Sequence, residues 1–252
     1  LGDVYKRQAK DAVHFISGPC RYSTAAVWRA SSRADAGTSQ GHAAAAMLLD
    51  GVKFYERIPY DILAEESVED NFPMTILTCC LWMYLRPRHI TAAGWVCLGK
   101  CARRGIPAGC AFATYLVKAF VWRVALRITK LYPTCQLDVF VDDWTLEQVQ
   151  LQRILVESFP MAAQHLIWEL IHVLKIQLSD VKAAITASSL PLAKVLRQQI
   201  GKEAGAPVLQ ANRLGYDYAP GAQQQDTGQF KVRKERRAKV VRRQGRILKV
   251  YK

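Results

Sequence analysis

Two adjacent carboxylates, Asp142 and Asp143, sit in the stretch LDVFVDDWTL at residues 137–146. Neighbouring residues of a strand point to opposite faces, so an adjacent pair serves one metal site only where the chain bends. The flanking pattern offers such a bend. Leu137, Val139 and Val141 alternate with Asp138 and Phe140, and Trp144 and Leu146 form a return arm. An Asp pair at a bend also serves as a plain turn, needing nothing beyond solvent. A third carboxylate, Asp50, closes the apolar run AAAAMLLD at residues 43–50. It suits either a further hard oxygen ligand or an acceptor of backbone hydrogen bonds at the end of an element. Tyr55 follows five residues later, and Lys175 and Lys182 flank a Ser179–Asp180 turn from which both can project.

The elements that must position these groups are legible in outline. Residues 1–40 are poorly patterned, and SSRADAGTSQG at 31–41 reads as a loop. The alanine run at 43–50 fits a buried strand or a helix. Pro59 stands where a helix can begin. PMTILTCCLWMYL at 73–85 reads as a mostly buried helix, followed by RPRHI with three potentially positive side chains. Gly94 to Lys100 fits a strand or a hairpin arm. Arg103 and Arg104 then introduce the bend GIPAG at 105–109, where glycine lets the backbone lie close to another group. The segment at 110–128 is long and non-alternating, which predicts a helix with Lys118 and Arg123 snorkelling outward. Residues 147–172 predict two helical pieces hinged near Pro160, with His165 and His172 as ordinary helix residues. HVLKIQLSDVKAAITAS at 172–188 predicts two short strands, residues 190–200 a helix, and NRLGYDY at 212–218 a final short strand.

Half of the 252 residues are hydrophobic, enough for one large domain or a domain with an appendage. The net charge of +14 is concentrated: residues 231–252 hold 11 Lys/Arg against one Glu, a net of +10, leaving +4 for the first 230. The tail therefore carries most of the attraction for a polyanion. Seven cysteines, two of them the neighbours Cys79 and Cys80, do not form a disulfide framework, and Cys97 and Cys101 lack a second ligand pair for zinc. Unpaired thiols in a reducing compartment are expected. No apolar run has the length and freedom from charge of a membrane span, and no secretory signal is visible. The opening LGDVYKRQ, without an initiator Met, reads as a fragment or as foreign sequence at the start.

Five stretches in order resemble the palm region of a reverse transcriptase of the non-long-terminal-repeat, LINE-like retrotransposon family, over roughly residues 40–218. LLDGVKFYERIPYDIL at 48–63 is similar to the first palm motif. RRGIPAGCAF at 103–112 is similar to the glycine-bounded motif that opens the next palm helix. FVDD at 140–143 matches the aromatic, any residue, Asp, Asp hairpin. KIQLSDVKAAITAS resembles the lysine-bearing motif that follows, and NRLGYDY the strand with Leu-Gly after it. The separation of Asp50 from Asp142, 92 residues, suits the family. Two departures stand out: Ala108 occupies the place of the usual Gln before Gly109, and Glu56 replaces the Asp that often follows the aromatic.

The resemblance implies an α+β fold, a right-hand polymerase palm with a small antiparallel sheet backed by helices. It divides the chain into an N-terminal segment or fingers remnant at 1–40, a palm at 41–218, and a linker with a basic tail at 219–252. It implies an RNA-directed DNA polymerase that adds deoxynucleotides to a primer 3′-hydroxyl on an RNA template. Two Mg²⁺ ions about 4 Å apart would serve it, with Mn²⁺ as a substitute. Magnesium takes hard oxygen ligands at about 2.0–2.1 Å, which carboxylates supply. Asp50, Asp142 and Asp143 are the implied catalytic and metal-binding residues, with a backbone carbonyl at Gly51 or Val52 as a further ligand. Tyr55 would lie under the incoming sugar, Gly109 near the nucleotide pocket, and Lys182 at the triphosphate. A nuclear setting, otherwise a cytoplasmic one, is expected, with fingers, thumb and endonuclease regions belonging to a larger polyprotein. The alternative is an inactive retroelement fragment that binds nucleic acid through its tail.

Overall fold

The computed structural model describes residues 23–221 apart from Ile90, Leu98, Ala108 and Gly215. Expectations for residues 1–22, for Ala108 and for the basic tail lie outside the described residues. In chain order the elements are α1 (Ser23–Ser39), β1 (Ala43–Asp50), α2 (Phe54–Arg57), α3 (Tyr60–Glu69), α4 (Met74–Leu85), β2 (Thr91–Ala92), β3 (Trp95–Val96), α5 (Ala113–Leu131), β4 (Cys135–Phe140), β5 (Asp143–Gln150) and α6 (Gln152–Trp168). A π-helical turn (Glu169–Val173), β6 (Ala184–Ala187), α7 (Leu190–Ile200), a 3-10 turn (Lys202–Ala204), β7 (Ala206–Val208), β8 (Ala211–Arg213) and β9 (Tyr216–Tyr218) follow.

One five-stranded sheet, in the order β4-β5-β1-β6-β7, organises the molecule. Its strand β1 is buried on both faces, which explains a run of small and aliphatic residues without polar alternation. Successive side chains point opposite ways. Met47 and Leu49 join a large core with Leu137, Trp144 and Ile185, closed by Leu116, Phe120, Val124 and Ile128 of α5 and by Leu155, Phe159 and Leu166 of α6. Ala46 and Leu48 face the other way, onto Val27 and Ala30 of α1 and onto Ala211 and Tyr218 of the β8–β9 hairpin.

Several sequence expectations are corrected. The sheet is mixed rather than antiparallel, because β6 and β7 pair in parallel through Ala184↔Ala206. The polar stretch 31–41 is helical as far as Ser39, since Ala26, Ala30 and Ala34, spaced by one helical turn, bury a narrow stripe that the surrounding serines mask in the sequence. Residues 147–150 continue β5, held by β1 on one side and β4 on the other. The helix beyond runs unbroken through Pro160 from Gln152 to Trp168 instead of hinging there. Only the second strand forms within 172–188; the first half stays irregular, with a single bridge from Leu178 to Gly51. NRLGYDY is a hairpin turning at Leu214, not one strand. Gly94 lies in the turn of a hairpin arm, β2–β3. The six cysteines among the described residues are free thiols, and no described helix is long and apolar enough to cross a membrane.

The second face also holds a buried charge cluster. Arg213, 1% exposed, donates to Asp138 at 2.5 Å and to Glu147, and Arg33 donates to the other oxygen of Glu147 at 2.8 Å. Burial pushes the Glu147 carboxyl up, while Arg213 opposes that rise. Removing one member of such a set strands its partners without water. Arg213→Met is therefore expected to lose about 3–5 kcal/mol in urea unfolding at pH 7. The loss should shrink as pH falls and the stranded carboxyls take up protons; a variant as stable as the parent would show the cluster to be dispensable.

Candidate active site

The β4–β5 hairpin and the end of β1 meet where the acids lie. Asp50 is paired directly with Asp143 in the β1–β5 register, and Phe140 pairs with Asp143 in the β4–β5 register, leaving Val141 and Asp142 as the two turn residues. Val141 holds φ +60°, a left-handed conformation that is unusual for a β-branched residue. Strained backbone of this sort persists only where surrounding pairing fixes it. Here both strands of the hairpin do so.

Asp50 and Asp143 thereby stand side by side with Asp142 at the adjoining turn, and burial with mutual repulsion raises the two hairpin acids. Asp143 is pushed up to about 6, first by burial, then by the charges of Asp142 and Asp50, with a hydrogen bond to Asp50 in the same direction and Lys182 opposing. Burial raises Asp142 as well, aided by Asp50 and opposed by a backbone hydrogen bond and by Lys182. Lys182 extends from the turn before β6 and its ammonium donates to both Asp50 oxygens, at 3.0 and 2.8 Å. The Asp50 side chain is 14% exposed and that of Lys182 65%, so a largely buried acid is capped by a cation still in contact with water. That contact raises the Lys182 ammonium.

The remaining sequence-derived residues are placed around these acids. Gly51 is buried, bridges to Leu178, and donates its N–H to the Asp142 carbonyl at 3.4 Å. Val52 donates to the Gln177 carbonyl at 2.8 Å. Tyr55 is half-buried, its hydroxyl raised by burial and by the charge of Asp142 and lowered by a hydrogen bond with Thr114. Gly109 stands on the exposed bend leading into α5, with open space where a side chain would be. Two contributions to the site were missed in the sequence. Ser179 donates its N–H to the Asp50 carbonyl at 2.9 Å, and Thr114 meets Tyr55. Neither carried a local signal, because both contacts join segments far apart in the chain.

The RRGIPAG segment is pinned beside Tyr55. Gly105 donates to the Ile58 carbonyl at 2.9 Å, Ile106 donates to the Tyr55 carbonyl at 2.7 Å, and the Tyr60 hydroxyl donates to the Gly105 carbonyl at 2.8 Å. Gly105 has φ +94°, and an added Cβ would lie 2.6 Å from the Glu56 carbonyl oxygen. Only glycine allows both.

The donor set is all carboxylate, the chemistry that a hard divalent cation takes. It is not a formed cage: among the described residues, no group of three His, Cys, Asp or Glu side chains is arranged to hold a metal ion. The residues fit magnesium by donor type, with both Asp50 oxygens engaged by Lys182.

No family model matches the chain, and no curated protein does either. Solved structures do. The fold class they define is a mixed α+β one, a multi-stranded sheet backed by helices, broadly that of a reverse-transcriptase-like palm. The telomerase of Candida albicans, in complex with a TWJ fragment of telomeric RNA, is similar over 86% of this chain at 10% identity and a TM-score of 0.59. The apo telomerase of Candida tropicalis, truncated from its C-terminal domain, is similar over 87% at 10% identity, also with a TM-score of 0.59. This chain spans 36% and 44% of those two chains. The likeness is one of fold and remote, and it does not single out the non-long-terminal-repeat type.

Two outcomes are expected. In metal-free protein, carboxyl NMR should find Asp143 titrating near pH 6, with Asp50→Asn moving it down. Because this folded value exceeds the ordinary 3.8, the stability it contributes is complete below pH 3.8 and is lost as pH rises through about 6. A midpoint at the ordinary value would mean that the acids do not converge. Gly105→Ala should cost about 1–3 kcal/mol in urea unfolding from backbone strain, with the Glu56 contact adding to it.

Proposed function

We propose that this chain is the palm of an RNA-directed DNA polymerase, of the reverse transcriptase class, acting on a primer 3′-hydroxyl with deoxynucleoside triphosphates. The observation that carries the reading is the pairing of Asp50 with Asp143 across adjacent strands, with Asp142 at the turn between β4 and β5. The fold likeness to telomerases, one of them bound to telomeric RNA, supports it.

Asp50, Asp142 and Asp143 would hold Mg²⁺, with Mn²⁺ as a substitute. When bound, the metal lowers the pKa of the attacking hydroxyl and neutralises charge on the transferring phosphoryl group. The chain's own residues prepare that site. Burial and mutual repulsion of the acids create a demand for positive charge, which Lys182 meets at Asp50. Tyr55, held by its backbone bond to Ile106 and its hydroxyl bond with Thr114, stands near Asp142, where it would select the sugar. Lys182 is free to turn toward a triphosphate once Asp50 is otherwise engaged.

A second reading, an inactive retroelement fragment that grips nucleic acid through residues 231–252, is favoured by Ala108 in place of Gln and by the +10 tail. Primer extension separates the two. On an RNA template with Mg²⁺, Asp142→Asn is expected to lower extension by more than about 100-fold relative to the parent, beyond the damage done by altering a group that only supports a metal ligand. Equal extension by parent and variant would remove the polymerase mechanism. Salt-sensitive binding without extension in either protein would favour the second reading.

A further inference from the structure

Between α4 and the Gly105 bend the chain forms an arm with little core of its own. Arg88 and Lys100 exchange backbone hydrogen bonds at 3.0 and 3.1 Å as an isolated bridge, and in a register shifted by one residue Thr91↔Val96 and Ala92↔Trp95 pair up to a turn at Ala93 and Gly94. A two-stranded hairpin by itself is marginal in water. This one nevertheless displays Trp95 at 81% exposure, with Val96 beside it. Trp82 of α4, 61% exposed, lies at the arm's entry with the Arg86 guanidinium stacked 3.7 Å from its ring centroid.

The charge is one-sided. Residues 86–104 contain Arg86, Arg88, His89, Lys100, Arg103 and Arg104 and no Asp or Glu. All six are exposed. Arg88 and Lys100 are backbone partners at the foot of the arm, where the Arg88 side chain also reaches the Tyr60 hydroxyl. The arm is also continuous with the candidate active site. Arg104 bridges to Pro59, and the next two residues are bonded to Ile58 and Tyr55.

We propose that the arm at residues 86–104 is a binding site for single-stranded nucleic acid, its cations meeting phosphates and Trp95 stacking on a base. An exposed aromatic on an arm that also carries cations is the recognition chemistry of single strands, whose bases are free to stack. A duplex hides those faces, and an acidic peptide offers charge without flat rings. The site goes beyond the polymerase reading, because binding here needs no metal and none of the three aspartates.

The test is fluorescence anisotropy of a labelled 15-nucleotide single-stranded RNA with the full chain across a salt series, so that the basic tail is present throughout. Trp95→Ala is expected to weaken binding about 5- to 100-fold, the effect of unstacking one base. Lys100→Glu with Arg103→Glu should weaken it and flatten the log–log salt slope by about 0.7 for each phosphate no longer neutralised. The substituted side chains are exposed, and unchanged urea midpoints will establish that the variants fold. Affinity and slope within about twofold of the parent in both variants would overturn the proposal, as would equal sensitivity of a duplex RNA or of polyglutamate to Trp95→Ala. Extension without any effect of the arm variants would sink the arm alone, and arm-dependent binding without extension would sink the polymerase reading alone.

Discussion

The register between β1 and β5 is the constraint on which the rest depends. It runs without interruption from Ala43↔Gln150 to Asp50↔Asp143, and β1 is buried on both faces. A slip of one residue would exchange the faces of every side chain, sending Met47 and Leu49 toward α1 and Ala46 and Leu48 toward α5. It would also separate Asp50 from Asp143. Packing on two cores therefore fixes the acid constellation more firmly than any contact among the acids, which repel one another. The site is held together by groups that take no part in its chemistry.

That arrangement gives the electrostatics a definite sense. Three carboxylates brought together by strand pairing raise the local demand for positive charge, and the surrounding structure answers it in two ways. One is a raised proton affinity at Asp143, caused first by burial and then by the neighbouring acids. The other is Lys182, bonded to both oxygens of Asp50. Further along the strands on the same face of the sheet a similar problem is solved permanently: Asp138 and Glu147 are neutralised by Arg213, which is sealed from water. The contrast is physical. The interior pair has a fixed cation on β8, whereas the acids at the sheet's end have a solvent-exposed one on a turn, free to exchange.

How much of this was legible in the sequence follows from range. The Asp142–Asp143 bend and the long helix after the GIPAG bend were readable because periodicity and turn chemistry are local, whereas the run ending at Asp50 fitted a strand or a helix, and only its pairing with β5 and β6 decides between them. The mixed character of the sheet was not readable, since the parallel pairing of β6 with β7 follows from the crossover helix α7, which joins them and packs against both, and leaves no mark on either strand. The helical course of residues 31–39 was hidden because its buried stripe consists of alanine, which carries little hydrophobic signal. Arg213 read as a polar residue in a short strand. Its burial makes sense only with Asp138 and Glu147 beside it, and those lie 75 and 66 residues earlier.

The placement of β1 at the centre of the sheet has a consequence for synthesis. It is the first strand to leave the ribosome among those described, yet its partners begin at Asp143 and Ala184. One edge of an apolar strand, charged only at its last residue, thus waits 93 residues (143 − 50) of further chain for its partner and the other edge 134 (184 − 50). Contacts so distant in sequence form slowly, and an unpaired apolar strand is a template for pairing with other chains. Between the emergence of β1 and that of the acid hairpin, the central strand of the sheet therefore has no strand partner within its own chain.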